Sequence, residues 1–286
     1  MKYTKVAILF CCIILVGSVL SGCVSQEAKE VINDIDALGE ITLDSLQDLQ
    51  AINEKYDALS EEDKASVSNV DLLEAANQRY NELKYADLDS RIGEACQNVS
   101  SDTLSNLEDL LAEYEELTEE GKAAISNYTS LLDAISESKA LWAKEVTSEI
   151  LSCANGSMST AKSMLNEYYE IMSESQIEKC LIEIGRWDAV SEAEDYLKDY
   201  LKNPRSYVRY SGKCGTPELQ SDGTYKTYVY LDYGAENSFG ASVRDEVEMY
   251  VYFKINIDSL IVRFSKTEFT AYYKWQFSYF VISNPM

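Results

Sequence analysis

There is no histidine in this chain of 286 residues. That excludes Ser-His-Asp and Cys-His catalysis and histidine-ligated zinc together. Proline is almost missing: Pro204, Pro217 and Pro285 are the only three, so no proline breaks a helix upstream of Asn203. Cations are scarce, with 25 Lys and Arg against 49 Asp and Glu and a net charge of −24. Nucleic acid is therefore a poor partner, because phosphate contacts need Lys and Arg. Direct adhesion to anionic lipid or anionic wall polymer is disfavoured in the absence of bridging cations. No two cysteines have Cys-x-x-Cys spacing, so no redox or zinc motif is indicated, and no Asp-x-Asp-x-Asp-Gly calcium loop occurs. Neither a metal nor a cofactor is expected.

What is present begins with an address. Lys2 and Lys5 precede an apolar stretch, Val6 to Leu20, too short for an ordinary ~20-residue membrane span. Leu20-Ser21-Gly22-Cys23 follows: an apolar residue, two small ones and a cysteine. This resembles the signal of bacterial lipoproteins. The resemblance implies a signal peptide over residues 1–22, cleavage after Gly22, and acylation of Cys23 with palmitate-type chains. It also implies a membrane anchor that holds the mature protein on the extracytoplasmic face of the cell membrane. Removing residues 1–22 deletes two lysines and no acid, taking the net charge to −26.

The acid is not evenly spread. Residues 203–286 carry nine basic and nine acidic residues, whereas residues 23–202 carry 14 basic and 40 acidic. All three prolines and 18 of the 31 aromatics lie after residue 202, so the composition breaks at Asn203-Pro204. The fold class expected is α+β and multidomain: an N-terminal all-α repeat array, then a C-terminal helix with an antiparallel β-meander. The expected divisions are helical repeats over 23–85 and 86–142, a degenerate third over 143–185, and an α+β module over 186–286.

The array repeats every 58 residues. Tyr56 to Leu59 returns as Tyr114 to Leu117, Ile41-Thr42 as Val99-Ser100, Lys64 as Lys122, and Val67-Ser68-Asn69 as Ile125-Ser126-Asn127. A worn third copy runs from Cys153 to Leu197, with Tyr168 and Ile171 in the Tyr and Leu slots. Leu43, Leu46, Leu49, Ile52, Tyr56 and Leu59 step by three or four, as one helix face requires. The second copy gives Leu104, Leu107, Leu111, Tyr114 and Leu117. Ser60, Thr118 and Ser173 stand as capping residues, the last in a capping box with Gln176. Asn69 and Asn127 suit a left-handed helix end.

Two long stripes then join the copies: Leu73, Ala76, Tyr80, Leu83, Leu88, Ile92 and Cys96, and Leu132, Ile135, Trp142, Val146, Ile150 and Cys153. Shared coiled helices of this kind predict a semi-rigid spacer. Leu38-Gly39-Glu40-Ile41-Thr42, Tyr56 to Leu59 and Lys64 to Asn69 resemble the three-helix repeats of Gram-positive surface proteins. That resemblance implies a cell-surface spacer or interaction module and no chemistry.

Cys96, Cys153, Cys180 and Cys214 remain in the mature part. They read either as small buried apolar residues or, in this compartment, as disulfide partners, with Cys153–Cys180 the local candidate.

The C-terminal module opens on Trp187, Val190, Tyr196, Leu197, Tyr200 and Leu201, an amphipathic helix ended by Asn203-Pro204. Period-2 strands follow over 225–233, 247–255 and 273–281, with shorter ones near 207–210 and 261–264. Leu201 to Tyr207 and Tyr233 to Ala241 resemble a C-terminal domain of Gram-positive lipoproteins that carries no activity known to us. In the second stretch, Gly234, Asn237 and Gly240 offer the backbone freedom a long hairpin needs, and Phe239 sits at its tip. Tyr228, Tyr230, Tyr250 and Tyr252 share the outward face if their strands pair. They form the candidate binding face for a protein or cell-wall glycan partner; cross-strand stabilisation is the other reading. Two competing functions stay open. A carboxylate-based hydrolase has acids in plenty but no motif placing them. A solute-binding lipoprotein needs two α/β lobes, and the alternation of strands and helices is absent.

Overall fold

A computed structural model describes residues 24–237 and 239–270. The α+β class holds: nine α-helices among the described residues precede a five-stranded antiparallel sheet. Compact contacts divide the chain into two units. One contains the residues up to Asn98 with Asn106–Leu132, and the other Val99–Ser105 with everything from Asp133. Among the described residues no helix is long and apolar enough to cross a membrane.

In the first unit α1 is Gln26–Asp36, α2 Leu46–Asp57, α3 Glu61–Lys64 and α4 Val70–Ala95. Ala28, Val31 and Ile35 of α1, Leu49 and Ile52 of α2, and Leu73 and Ala76 of α4 close a three-helix core with Val67. The next helices repeat this geometry 58 residues on: α5 is Leu104–Glu115, α6 Glu119–Ala124 and α7 Tyr128–Ala154. Local capping repeats with it. The Thr42 amide donates to Ser45 Oγ at 3.0 Å, as the Ser100 amide does to Thr103 Oγ1 at 3.1 Å. Ser60 Oγ accepts from the Asp63 amide, and Thr118 Oγ1 from the Gly121 amide. Lys64 Nζ lies 5.9 Å from the Tyr56 ring centroid and Lys122 Nζ 5.8 Å from that of Tyr114, so the Tyr and Lys of each copy meet as a cation–π pair.

Four expectations need correction. Leu43 and Leu46 are 44% and 40% exposed, because Leu43–Ser45 form a 3-10 turn and only from Leu49 does the stripe meet the core. On α7 it is Leu131 that is buried, while Leu132 is 41% exposed. The buried residues of α4 do not make one stripe. Leu73 and Ala76 lie roughly 110° around the axis from Leu88 and Ile92 at 3.6 residues per turn, so the helix buries different faces in its two halves. Asn69 and Asn127 are not left-handed, since Leu260 is the only non-glycine residue of positive φ described. Both stand just before a helix and act through their amides, Asn69 Nδ2 on the Ile32 carbonyl and Asn127 Nδ2 on the Asp89 carbonyl, each at 3.0 Å.

In the second unit α8 is Met158–Tyr168 and α9 Glu174–Lys198. The predicted capping box forms at the start of α9: Ser173 Oγ accepts from the Gln176 amide while Gln176 Oε1 accepts from the Ser173 amide. This one helix serves two cores. Ile177, Cys180, Leu181 and Ile184 pack with α7 and α8. Ala189, Val190, Ala193 and Leu197 pack on the sheet. The expected divisions at 85, 142 and 185 therefore each fall inside a helix, α4, α7 and α9 respectively.

The strands are β1 Val208–Cys214, β2 Glu218–Leu219, β3 Tyr225–Glu236, β4 Ser242–Asn256 and β5 Ile261–Phe269. Their order is β1-β3-β4-β5, with the short β2 beside β1 on the same edge of β3. Val229, Leu231, Val247, Met249, Val251 and Phe253 face α9 and are fully buried, as period-2 alternation over a half-covered sheet requires. The strand expected over 273–281 lies outside the described residues, and so do the signal segment and Cys23. Cys96, Cys153, Cys180 and Cys214 are free thiols; Cys180 sits fully inside the α7–α9 core, where burial pushes its thiol up to about 11.

Candidate functional site

Strand alternation alone puts Lys226, Tyr228, Tyr230 and Asp232 of β3 on the face away from α9. The β3–β4 register completes that face. Tyr228 stands opposite Tyr250, Lys226 opposite Tyr252, and Tyr230 opposite Glu248. On the other side of β4, Tyr250 pairs with Glu268 of β5 and Tyr252 with Lys266. The four tyrosines singled out from sequence thus come together, all half-exposed. Tyr228 and Tyr250 meet edge-to-face with ring centroids 6.2 Å apart. Such a pair adds ~0.5–1.5 kcal/mol beyond its buried area, so the stabilising role of these rings is real alongside any binding role.

Sequence reasoning named the tyrosines and left out the lysines between them. Lys226 Nζ lies 3.7 Å from the Tyr250 centroid and 5.7 Å from that of Tyr252. Lys266 Nζ lies 5.2 Å from the Tyr252 centroid, and Lys213 Nζ of β1 5.9 Å from that of Tyr230. The alternation Lys226, Tyr228, Tyr230 already signalled the first of these. Lys213 and Lys266 needed the strand pairing, which a single sequence does not state. The Tyr252 hydroxyl donates to Glu268 Oε1 at 2.9 Å. Desolvation, with that carboxylate beside it, pushes the Tyr252 phenol up to about 12, so it stays protonated and a donor. Lys266, 2.5 Å from Glu268 Oε2, holds the Glu268 carboxyl below the ordinary range.

At the far end of the face Asp232 is buried and bidentate with Arg244, Nε to Oδ1 at 2.8 Å and Nη2 to Oδ2 at 2.5 Å. That hydrogen bonding holds the Asp232 carboxyl low. The Arg244 guanidinium also lies 4.9 Å from the Tyr210 centroid.

The β3–β4 hairpin closes on Asn237, whose Oδ1 accepts from the amides of Phe239 and Ala241 at 2.9 and 3.1 Å. Of Gly234, Asn237 and Gly240, Gly240 alone takes positive φ, +78°. Gly234 and Asn237 do not, which corrects the expectation for them. Gly234 is paired within the sheet, and its missing side chain leaves room for the Tyr210 ring. Phe239 is 94% exposed at the tip.

A cleft of about 240 Å³ lies between α8, α9 and the β4–β5 turn, a feature no motif announced. Leu165, Leu181, Ile184 and Val262 give it an apolar floor, and Leu260, strained at φ +54°, forms part of its wall. Its single carboxylate, Asp188, is ion-paired with Lys162 at the rim. Among the described residues no group of three metal-ligating side chains occurs. No family of known proteins, no curated protein and no solved structure matches this chain.

Proposed function

We propose that this chain is a lipid-anchored surface lipoprotein on the extracytoplasmic face of the membrane, acting as a spacer and binding module and not by catalysis. In this reading Cys23 carries the acyl chains, each buried methylene adding ~0.8 kcal/mol of membrane affinity. The acidic helical segment is the spacer. The outer face of the sheet, with Tyr228, Tyr230, Tyr250 and Tyr252, is the contact surface for a cell-wall glycan or protein partner. The observation that carries the reading is the β3–β4 register, which groups four half-exposed tyrosines on one face of a sheet whose other face is filled by α9.

The test has two arms in a Gram-positive host. Metabolic labelling with a palmitate analogue should mark the chain and move it to the membrane fraction, and Cys23→Ser should abolish both effects. The Cys23→Ser chain should bind purified wall and membrane fractions, and Tyr230→Ser/Tyr252→Ser should weaken that binding at least ten-fold with the far-UV spectrum unchanged. An unlabelled chain sinks the anchor. Undiminished binding by the folded double variant sinks the tyrosine face.

A further inference from the structure

Resting on that reading, we propose that the face takes a polyanionic glycan, a chain of sugar rings bearing carboxylate or phosphate groups, at the corner built around Tyr252. In the sheet register Tyr252 stands between Lys226 on one side and Lys266 on the other. The next outward pair on β4 and β5 is Lys254 with Arg263. Four cations therefore occupy two adjoining rows of strands ~5 Å apart. Lys266 is engaged by Glu268, Lys254 Nζ donates to the Asp222 carbonyl at 3.3 Å, and Lys226 lies over the Tyr250 ring; none of Lys226, Lys254 and Arg263 is in a salt bridge among the described residues. Lys254 faces Arg263 directly across the strands, a like-charge pairing that weakens a sheet. An anionic occupant converts this repulsion into attraction.

The same face argues for a glycan against an acidic peptide. Outward positions in the middle of β3 and β4 are Lys226, Tyr228, Tyr230, Glu248, Tyr250 and Tyr252, with no aliphatic side chain to seat an apolar anchor. Both strands are already paired along both edges there, so an added peptide strand has no backbone to meet. Aromatic faces, phenol hydroxyls and ammonium groups side by side match a hydroxyl-rich anionic ring. The chain's strong overall negative charge does not forbid this, because residues 203–286 are themselves balanced, nine basic against nine acidic, and the four cations stand on the face of the sheet away from α9.

The test uses the full mature chain carrying Cys23→Ser, with polygalacturonate, the same polymer methyl-esterified, and poly-L-glutamate as probes. Polygalacturonate is expected to bind at least ten-fold more tightly than either comparator in 50 mM NaCl, and to release in 500 mM NaCl. Lys226→Gln/Lys254→Gln should lose at least ten-fold of that affinity. Should that variant be less stable, Arg263→Gln, at an exposed position on β5, supplies the same comparison. Equal binding of the esterified polymer overturns the inference, as does equal binding of poly-L-glutamate or no binding of polygalacturonate. Wall binding that still depends on Tyr230 and Tyr252 would then leave the broader reading standing.

Discussion

Gly185 is the residue at which α9 changes partners, from the α7–α8 core to the sheet. A methyl group there would lie 2.4 Å from Phe253 Cε2, and the Phe253 ring is fully buried between Tyr225 and Phe264. Two effects oppose each other in Gly185→Ala. Helix propensity favours alanine by ~1 kcal/mol, while overpacking a fixed core costs ~1–3 kcal/mol. The ring has nowhere to go, so the clash wins, and urea unfolding should show a net loss of ~1–2 kcal/mol. Gly156→Ala, where a methyl group meets nothing within 4 Å, should be neutral or stabilising by up to ~1 kcal/mol. Equal midpoints for the two variants would mean that α9 does not press on the sheet at this point.

At the scale of the element, the repeat is held by side chains that only look like helix punctuation in the sequence. Asp89 of α4 accepts from the Ser126 and Asn127 amides, both at 2.8 Å, and its backbone carbonyl accepts from Asn127 Nδ2. Asn127→Ala removes one such bond and should cost ~1 kcal/mol. Asn127→Asp also removes the donor but sets a carboxylate beside the Asp89 carbonyl and carboxylate. It should cost more than the alanine variant at pH 7, with the gap narrowing as acid protonates the new side chain. Thermal unfolding followed at 222 nm at pH 7 and pH 3 checks the order; a milder loss for aspartate would remove this account of the joint.

The contrast shows what was legible. Helix positions, the Ser60, Thr118 and Ser173 caps and both faces of β3 and β4 follow from local spacing, and the fold has them where spacing put them. What Asn127 grips and which lysines flank Tyr252 depend on distant residues: Asp89 is 38 positions from Asn127, and Lys226 and Lys266 are 26 and 14 positions from Tyr252. One sequence states the periodicity of a helix or strand, and leaves unsaid the rotation and register at which it meets its partners.

For the molecule as a whole the deciding quantity is charge imbalance. Ion pairs do occur in the helical segment, such as Arg91 with Glu113 at 2.8 Å, but both partners are nearly half exposed, and pairs of that kind contribute ~0–1 kcal/mol. Residues 23–202 hold 40 acids against 14 bases, so pairing every base would still leave 26 acids repelling one another. Salt screens both effects, and the unpaired majority sets the sign. Raising NaCl from 10 to 500 mM should therefore raise the helical melting midpoint of the Cys23→Ser chain, by roughly 4–8 °C per kcal/mol of repulsion relieved if a unit of 60–100 residues melts cooperatively. Sodium sulfate also strengthens apolar burial, so NaCl is the cleaner probe. A midpoint that falls with NaCl would mean that the ion pairs outweigh the repulsion and that the acidic faces are organised networks instead of solvated surface.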